Sequence, residues 1–158
     1  MYENILVCLD GSERAEALLP YVTEVALRFK SKLHMLQVIS APVFIAPDIP
    51  GSGGGYIEKP QMLETIQADQ DSAYTYLNGI IGDLQDKGIT CEAVVFSGMA
   101  GEAIISYAEE NDIGLIAIAS HGRTGLSRAI IGSVADHVLR HSKAPVFLLR
   151  TVKHKANQ

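Results

Sequence analysis

Between Ile116 and Val134 the chain reads IAIASHGRTGLSRAIIGSV, an apolar run that breaks into a loop of small residues and arrives at a Gly-Ser pair opening another apolar segment. The spacing Ala119-x2-Gly122-x9-Gly132-Ser133 suits phosphate. Gly122 and Gly132 offer bare backbone, Ser133 offers a hydroxyl, and the N–H groups that open a helix carry partial positive charge that favours anions. Arg123 lies in the same loop and can reach a polyphosphate as a fork-shaped donor, whereas Arg128 lies further along and decorates the surface. A second polar group, Asp10-Gly11-Ser12, follows the first apolar run. Asp10 has two readings. It caps the following helix, a common role for Asp in turns. Alternatively it faces a ligand, where its carboxylate would repel phosphate unless Mg²⁺ bridges them or it accepts from a ribose hydroxyl or a loop amide.

Other candidates carry less chemistry. Gly51-Ser52-Gly53-Gly54-Gly55 is glycine-rich, but neither G-x-G-x-x-G nor a Lys-Ser/Thr of a phosphate loop completes it. It reads as a flap within Ala41–Pro60, a non-periodic stretch with four prolines that is expected to be a lid or disordered. His137 and His141 stand four apart, a zinc-compatible spacing with no third ligand in view. His121 sits in the phosphate loop without an adjacent nucleophile and reads as an orienting or packing residue.

The elements that must position these residues alternate. Ile5–Leu9 is an apolar run of strand length, and from Glu13 the residues Ala15, Leu18, Leu19, Val22, Val25, Ala26 and Phe29 recur at helical spacing, with Ser12 as N-cap. Leu33–Ile39 reads as a strand, 61–87 as a long helix stopped by Gly88, and 90–96 as a strand. A short helix ends near Asn111, Leu115–Ala119 is a fourth strand, 130–139 a last helix, and 145–150 the final strand. Five strands alternating with four helices, the strands apolar on both faces, predict an open parallel five-stranded α/β sheet of Rossmann-like type with helices on both sides. With strand order 3-2-1-4-5, the order reverses between strands one and four, so Asp10 and the loop at Ala119–Gly122 share one cleft.

Composition limits the partners. At 158 residues the chain suits one domain spanning 1–158, with a flexible loop near 41–60 and a short tail at 151–158. Its 18 acidic against 13 basic residues give no broad electrostatic footprint for nucleic acid. Cys8 and Cys91 lie in apolar runs and read as reduced core thiols, not as a disulfide framework. The apolar run Ile5–Leu9 is too short for a signal segment or a membrane span, so a cytoplasmic protein without membrane insertion is expected.

The chain resembles the universal stress protein family from Tyr2 to Arg150. The resemblance rests on the opening strand ending in Asp10-Gly11-Ser12, Gly98-x-Ala-x-x-x-Ile104, SHGRTG at Ser120–Gly125, Gly132-Ser133-Val134 and Ala144-Pro145-Val146. The family's ATP-binding branch carries G-x2-G-x9-G-[S/T], matched here except at the first glycine, which is Ala119. The resemblance implies ATP and Mg²⁺ as ligands. Cys8, Leu9 and Asp10 would border the adenosine, Mg²⁺ at Asp10 remaining one of its two alternatives, and Val38 would meet the adenine edge. Ile118 and Ala119 would line the ribose, Gly122 and Arg123 the phosphates, and Gly132, Ser133 and Val134 the triphosphate cradle. It also implies a homodimer paired through Val146-Phe147-Leu148-Leu149, an apolar strand of the kind that accepts another strand.

Three functions follow from this reading. The first is an ATP-binding regulatory switch in stress response, at most a weak ATPase. The second is an enzyme using the cleft on an additional substrate, against which stands the lack of an evident general base or appended domain. The third is a family member acting through protein contacts without ATP, which Ala119 keeps open.

Overall fold

The computed structural model of the chain describes residues 2–40, 59–120 and 131–150. Its strands are β1 (Asn4–Leu9), β2 (Lys32–Ile39), β3 (Cys91–Ser97), β4 (Leu115–Ser120) and β5 (Val146–Arg150). The helices are α1 (Glu13–Glu16), α2 (Leu19–Phe29), α3 (Lys59–Gln85), α4 (Ala100–Glu110) and α5 (Ser133–His141). The sheet runs β3-β2-β1-β4-β5 with every neighbouring pair parallel, the order expected from the sequence.

The pleat divides each central strand between two cores. Ile5, Val7, Leu9, Leu33, Met35 and Ala117 pack beneath Ala15, Leu18, Val22 and Ala26 of the first two helical segments and Leu77, Ile81 and Leu84 of α3. Leu6, Cys8, Leu36, Ile116 and Ile118 face the other way, against Ile104, Tyr107 and Ala108 of α4 and Ala135 and Val138 of α5. Strands covered on both sides have no polar face, which is why β1 reads as an unbroken apolar run.

Several boundaries differ from the sequence reading, each for a local reason. The first expected helix is two, α1 and α2, with Leu18 as the N-cap of the second and Pro20 in its first turn. Proline in a continuous helix would lose a backbone bond and press on the carbonyl four residues back, but it costs nothing in a first turn. The same tolerance lets α3 begin at Lys59 with Pro60 already helical. Phe29, expected on the buried face, is 56% exposed, its ring edge-on to Tyr2 at 5.1 Å. The last helix starts at Ser133 instead of 130, with Gly132 as its N-cap.

Candidate functional site

Where β1, β2 and β4 end, the α4/α5 side of the sheet holds a cavity of about 440 Å³, within the size range of small-ligand sites. Its floor is the apolar row Cys8, Leu36, Val38 and Ile118, side chains that the pleat turns towards α4 and α5. Ala100 and Ile104 in α4 form one wall, and Gly132, Ser133, Val134 and Ala135 at the start of α5 form the other. Asp10, Ser12 and Arg14, with Ser120 at the end of β4, make the polar rim. An apolar row on the sheet is therefore bordered by hydroxyls, a carboxylate, a guanidinium and a helix N-terminus.

The rim is built by an interlocking turn. Asp10 Oδ1 accepts from the Ser12 backbone N–H at 3.0 Å and from its hydroxyl at 2.6 Å, while Ser12 Oγ accepts from Ala15 N–H at 3.2 Å and caps α1. Gly11, at φ +77°, supplies the left-handed residue this turn needs. Asp10 is therefore not itself the cap of α1, as one reading had it: its Oδ1 braces Ser12, which is the cap, and the residue borders the cavity. On the facing wall the N-cap of α5 is Gly132, which has no side chain to close the helix, so among the described residues the N–H groups of its first turn stay available to an anion or to water. Asp136, in that same turn, is held by Arg140 at 2.7 Å.

Of the residues singled out from the sequence, Cys8, Leu9, Asp10, Val38, Ile118, Ala119, Gly132, Ser133 and Val134 all border this one cavity. Gly122 and Arg123, with His121, lie outside the described residues, as do the glycine-rich segment 51–55 and the tail 151–158. Ala119 belongs to the cavity wall, yet its methyl packs against the core on the opposite face of the sheet. The cavity also includes Leu36, Ala100, Ile104, Ser12 and Arg14, which the sequence reading did not place there. Leu36 shares a strand face with Val38 two residues on, and Ala100 and Ile104 share a helix face, so their periodicity was a usable signal.

Titration and metal chemistry narrow what the site does. Burial pushes the Cys8 thiol up to about 12, so the sulfur is a packing atom of the floor and not a nucleophile. His137 and His141 stack with ring centroids 4.3 Å apart. His141 Nδ1 donates to the His137 carbonyl at 2.8 Å and His137 Nε2 faces Glu102 Oε1 at 3.3 Å. Among the described residues no group of three or more His, Cys, Asp or Glu is placed to hold a metal ion, and no helix is long and apolar enough to cross a membrane.

Comparison with known proteins gives a consistent neighbourhood. The profile of the Universal stress protein family matches residues 1–150. Universal stress protein MJ0577 of Methanocaldococcus jannaschii is 26% identical over 155 residues, 95% of this chain and 96% of its own. The solved structure of MJ0577 aligns with a TM-score of 0.74 at 24% identity, covering 98% of this chain and 99% of that one. A universal stress protein solved in complex with cAMP aligns at TM-score 0.68 and 18% identity, over 96% of this chain and 98% of its own. The Arabidopsis thaliana family protein At3g01520, solved with AMP bound, aligns at 0.67 and 14%, over 98% and 95%.

Proposed function

The chain belongs to the universal stress protein family, and we propose that it binds an adenine nucleotide, ATP, in the cavity at the ends of β1, β2 and β4 and acts as a nucleotide-dependent regulatory switch. The observation that carries this is the polarity of the cavity: an apolar floor of Cys8, Leu36, Val38 and Ile118 leading to the uncapped start of α5 at Gly132-Ser133. A purine fits the first part and a phosphate chain the second. Two proteins of this fold hold adenine nucleotides, cAMP in one and AMP in the other. Asp10 is the carboxylate of the described wall. With Oδ1 committed to Ser12, its second oxygen would accept from a ribose hydroxyl or help hold Mg²⁺ against phosphate oxygens, as one or two carboxylates commonly do.

Ala119, the departure from the family's ATP-binding pattern, is compatible with this reading because its methyl packs away from the cavity. Regulation is favoured over turnover by the lining itself: apart from Asp10, the described wall presents no residue suited to act as a general base. In this reading a second copy pairs along Val146–Leu149 of the edge strand β5, where an outer row of backbone groups accepts another strand.

The deciding experiment is purification under native conditions, extraction and identification of co-purifying nucleotide, and titration of the stripped protein with Mg-ATP. Bound adenine nucleotide, or saturable binding of added Mg-ATP, is the expected result. The absence of both would leave the protein-contact function in its place, and turnover far above background with a second substrate would make it an enzyme.

A further inference from the structure

A cavity that takes a phosphate chain beside a carboxylate needs a cation of its own, and the described wall contains one. Arg14 is half-buried in α1 and borders the cavity together with Asp10 and Ser12. Its helix packs on both β1 and β4, the two strands between which the sheet order reverses. Arg28, Lys32, Arg140 and Lys143 each meet a carboxylate, whereas no ion pair among the described residues includes Arg14. Asp10, the acidic group nearest in sequence on that wall, directs Oδ1 to Ser12 instead. A half-buried guanidinium that meets no carboxylate among the described residues, on the polar rim of a concave site, has the chemistry of an anion receptor.

We propose that Arg14, the cation of the described wall, recognises phosphate, gripping the chain of a nucleoside di- or triphosphate against the first-turn N–H groups of α5 and offsetting the charge of Asp10. The assignment rests on the nucleotide reading above and specifies the ligand class within it. A polyphosphate carries several negative charges for the fork to meet, a cyclic monophosphate carries one and a nucleoside carries none. Arg14 therefore sets the preference of the site for the length of the phosphate chain.

The test is calorimetric titration of the whole protein, wild type, Arg14→Gln and Arg14→Lys, with ATP, adenosine and inorganic tripolyphosphate. Gln keeps helix propensity and leaves the Ser12 cap intact, and circular dichroism checks the fold. Arg14→Gln is expected to raise the Kd for ATP and tripolyphosphate by about tenfold to a hundredfold, the loss of one charge-assisted contact. The ratio of ATP to adenosine affinity then collapses, and Lys, which keeps the charge without the fork, restores part of it. An unchanged ATP affinity in Arg14→Gln, or parallel losses for ATP and adenosine, overturns the role of Arg14 while the nucleotide reading stands. Wild-type protein that binds tripolyphosphate through Arg14 but ATP no better overturns the adenine reading and keeps the cation. Failure to bind either overturns both.

Discussion

His34 Nδ1 stands 2.7 Å from Glu92 Oε1, although the histidine side chain is only 5% exposed. The Tyr107 hydroxyl donates to the same oxygen at 3.0 Å and lies 2.8 Å from the ring nitrogen, and Lys32 Nζ donates to Oε2 at 2.6 Å. On the ring's far side Nε2 meets the Asn4 side chain at 3.2 Å. Three of the elements that carry this network, β1, β2 and α4, also line the cavity. The face of β2 that carries His34 continues through Leu36 to Val38 in the floor, and Tyr107 of α4 is followed back along the helix by Ile104 in the wall. Burial pulls His34 below its ordinary value of 6.5, Glu92 working against that and Lys32 with it. Glu92 is held below its ordinary 4.5: its partial burial raises it, but donation from Lys32 and Tyr107 and the charge of His34 outweigh that.

Acid should therefore destabilise this protein over two pH windows. The unfolded chain takes up the His34 proton near pH 6.5 while the folded chain takes it up only at lower pH, so stability falls as pH drops through that window. Glu92, depressed in the fold, adds stability that is present above 4.5 and lost below it. Calorimetric melting from pH 8 to pH 4 should show Tm declining from about 6.5 downward, and NMR titration of the His34 ring should give a midpoint below 6.5. A midpoint above that value would reverse the sign. Tyr107→Phe, which removes the hydroxyl and leaves the ring, should cost about 1–2 kcal/mol, read by urea denaturation.

The tight seam between α4 and α5 gives a second expectation. A Cβ on Gly101 would lie 2.7 Å from His137 Cδ2, 2.9 Å from Cγ and 3.2 Å from Cβ, too close for a ring rotation alone to relieve. Alanine favours a helix over glycine by about 1 kcal/mol, but overpacking costs about 1–3 kcal/mol. Gly101→Ala should therefore be net destabilising in urea denaturation. Because both helices wall the cavity at their first turns, it should also weaken ATP. A variant as stable as wild type would show that the seam opens freely.

How much of this was legible beforehand follows from what one residue can reveal of its neighbours. The covered parallel sheet followed from the alternation of apolar runs, and with the order 3-2-1-4-5 its point of reversal sets Asp10 beside the end of β4, whereas the place of Gly132-Ser133 opposite Asp10 came from the family resemblance. The break at Leu18 was signalled by Pro20, yet the helical spacing from Ala15 to Phe29 hid it, since α1 and α2 stay nearly in phase. The floor could be half read: Val38 implies Leu36 by the pleat, but nothing local places Ala100 or Ile104 across from them. The His34 network was illegible, because its members lie on β1, β2, β3 and α4 and meet only once the sheet is assembled. Arg14 was passed over because a charge in a first helical turn ordinarily reads as a solvated face.

Gly132 separates the cradle from the fold. Its φ of −56° and ψ of 152° are open to any residue, so Gly132→Val should leave the circular dichroism spectrum and Tm within a few degrees of wild type. The branched side chain would nevertheless stand at the wall where phosphate must approach backbone. ATP binding should fall below detection by calorimetry, and an unaltered affinity would move the cradle elsewhere.

Asp10 can be divided by two substitutions, because its turn needs an acceptor oxygen while its ligand role needs charge. Asp10→Asn keeps an oxygen for the Ser12 N–H and hydroxyl, now at 3.0 and 2.6 Å, and should leave urea stability nearly unchanged. Asp10→Ala removes the acceptor, loosens the Ser12 cap on Ala15 and should cost about 1 kcal/mol. If Asp10 meets only the ribose, both variants weaken ATP and adenosine together. If it helps hold Mg²⁺ at the phosphates, Mg-ATP weakens while adenosine does not. In that second case metal-free ATP gains in Asp10→Asn, since a negative charge beside the phosphates is gone. Titrating each variant with ATP, with and without Mg²⁺, distinguishes the two, and unchanged affinities throughout would reduce Asp10 to the support of the Ser12 cap.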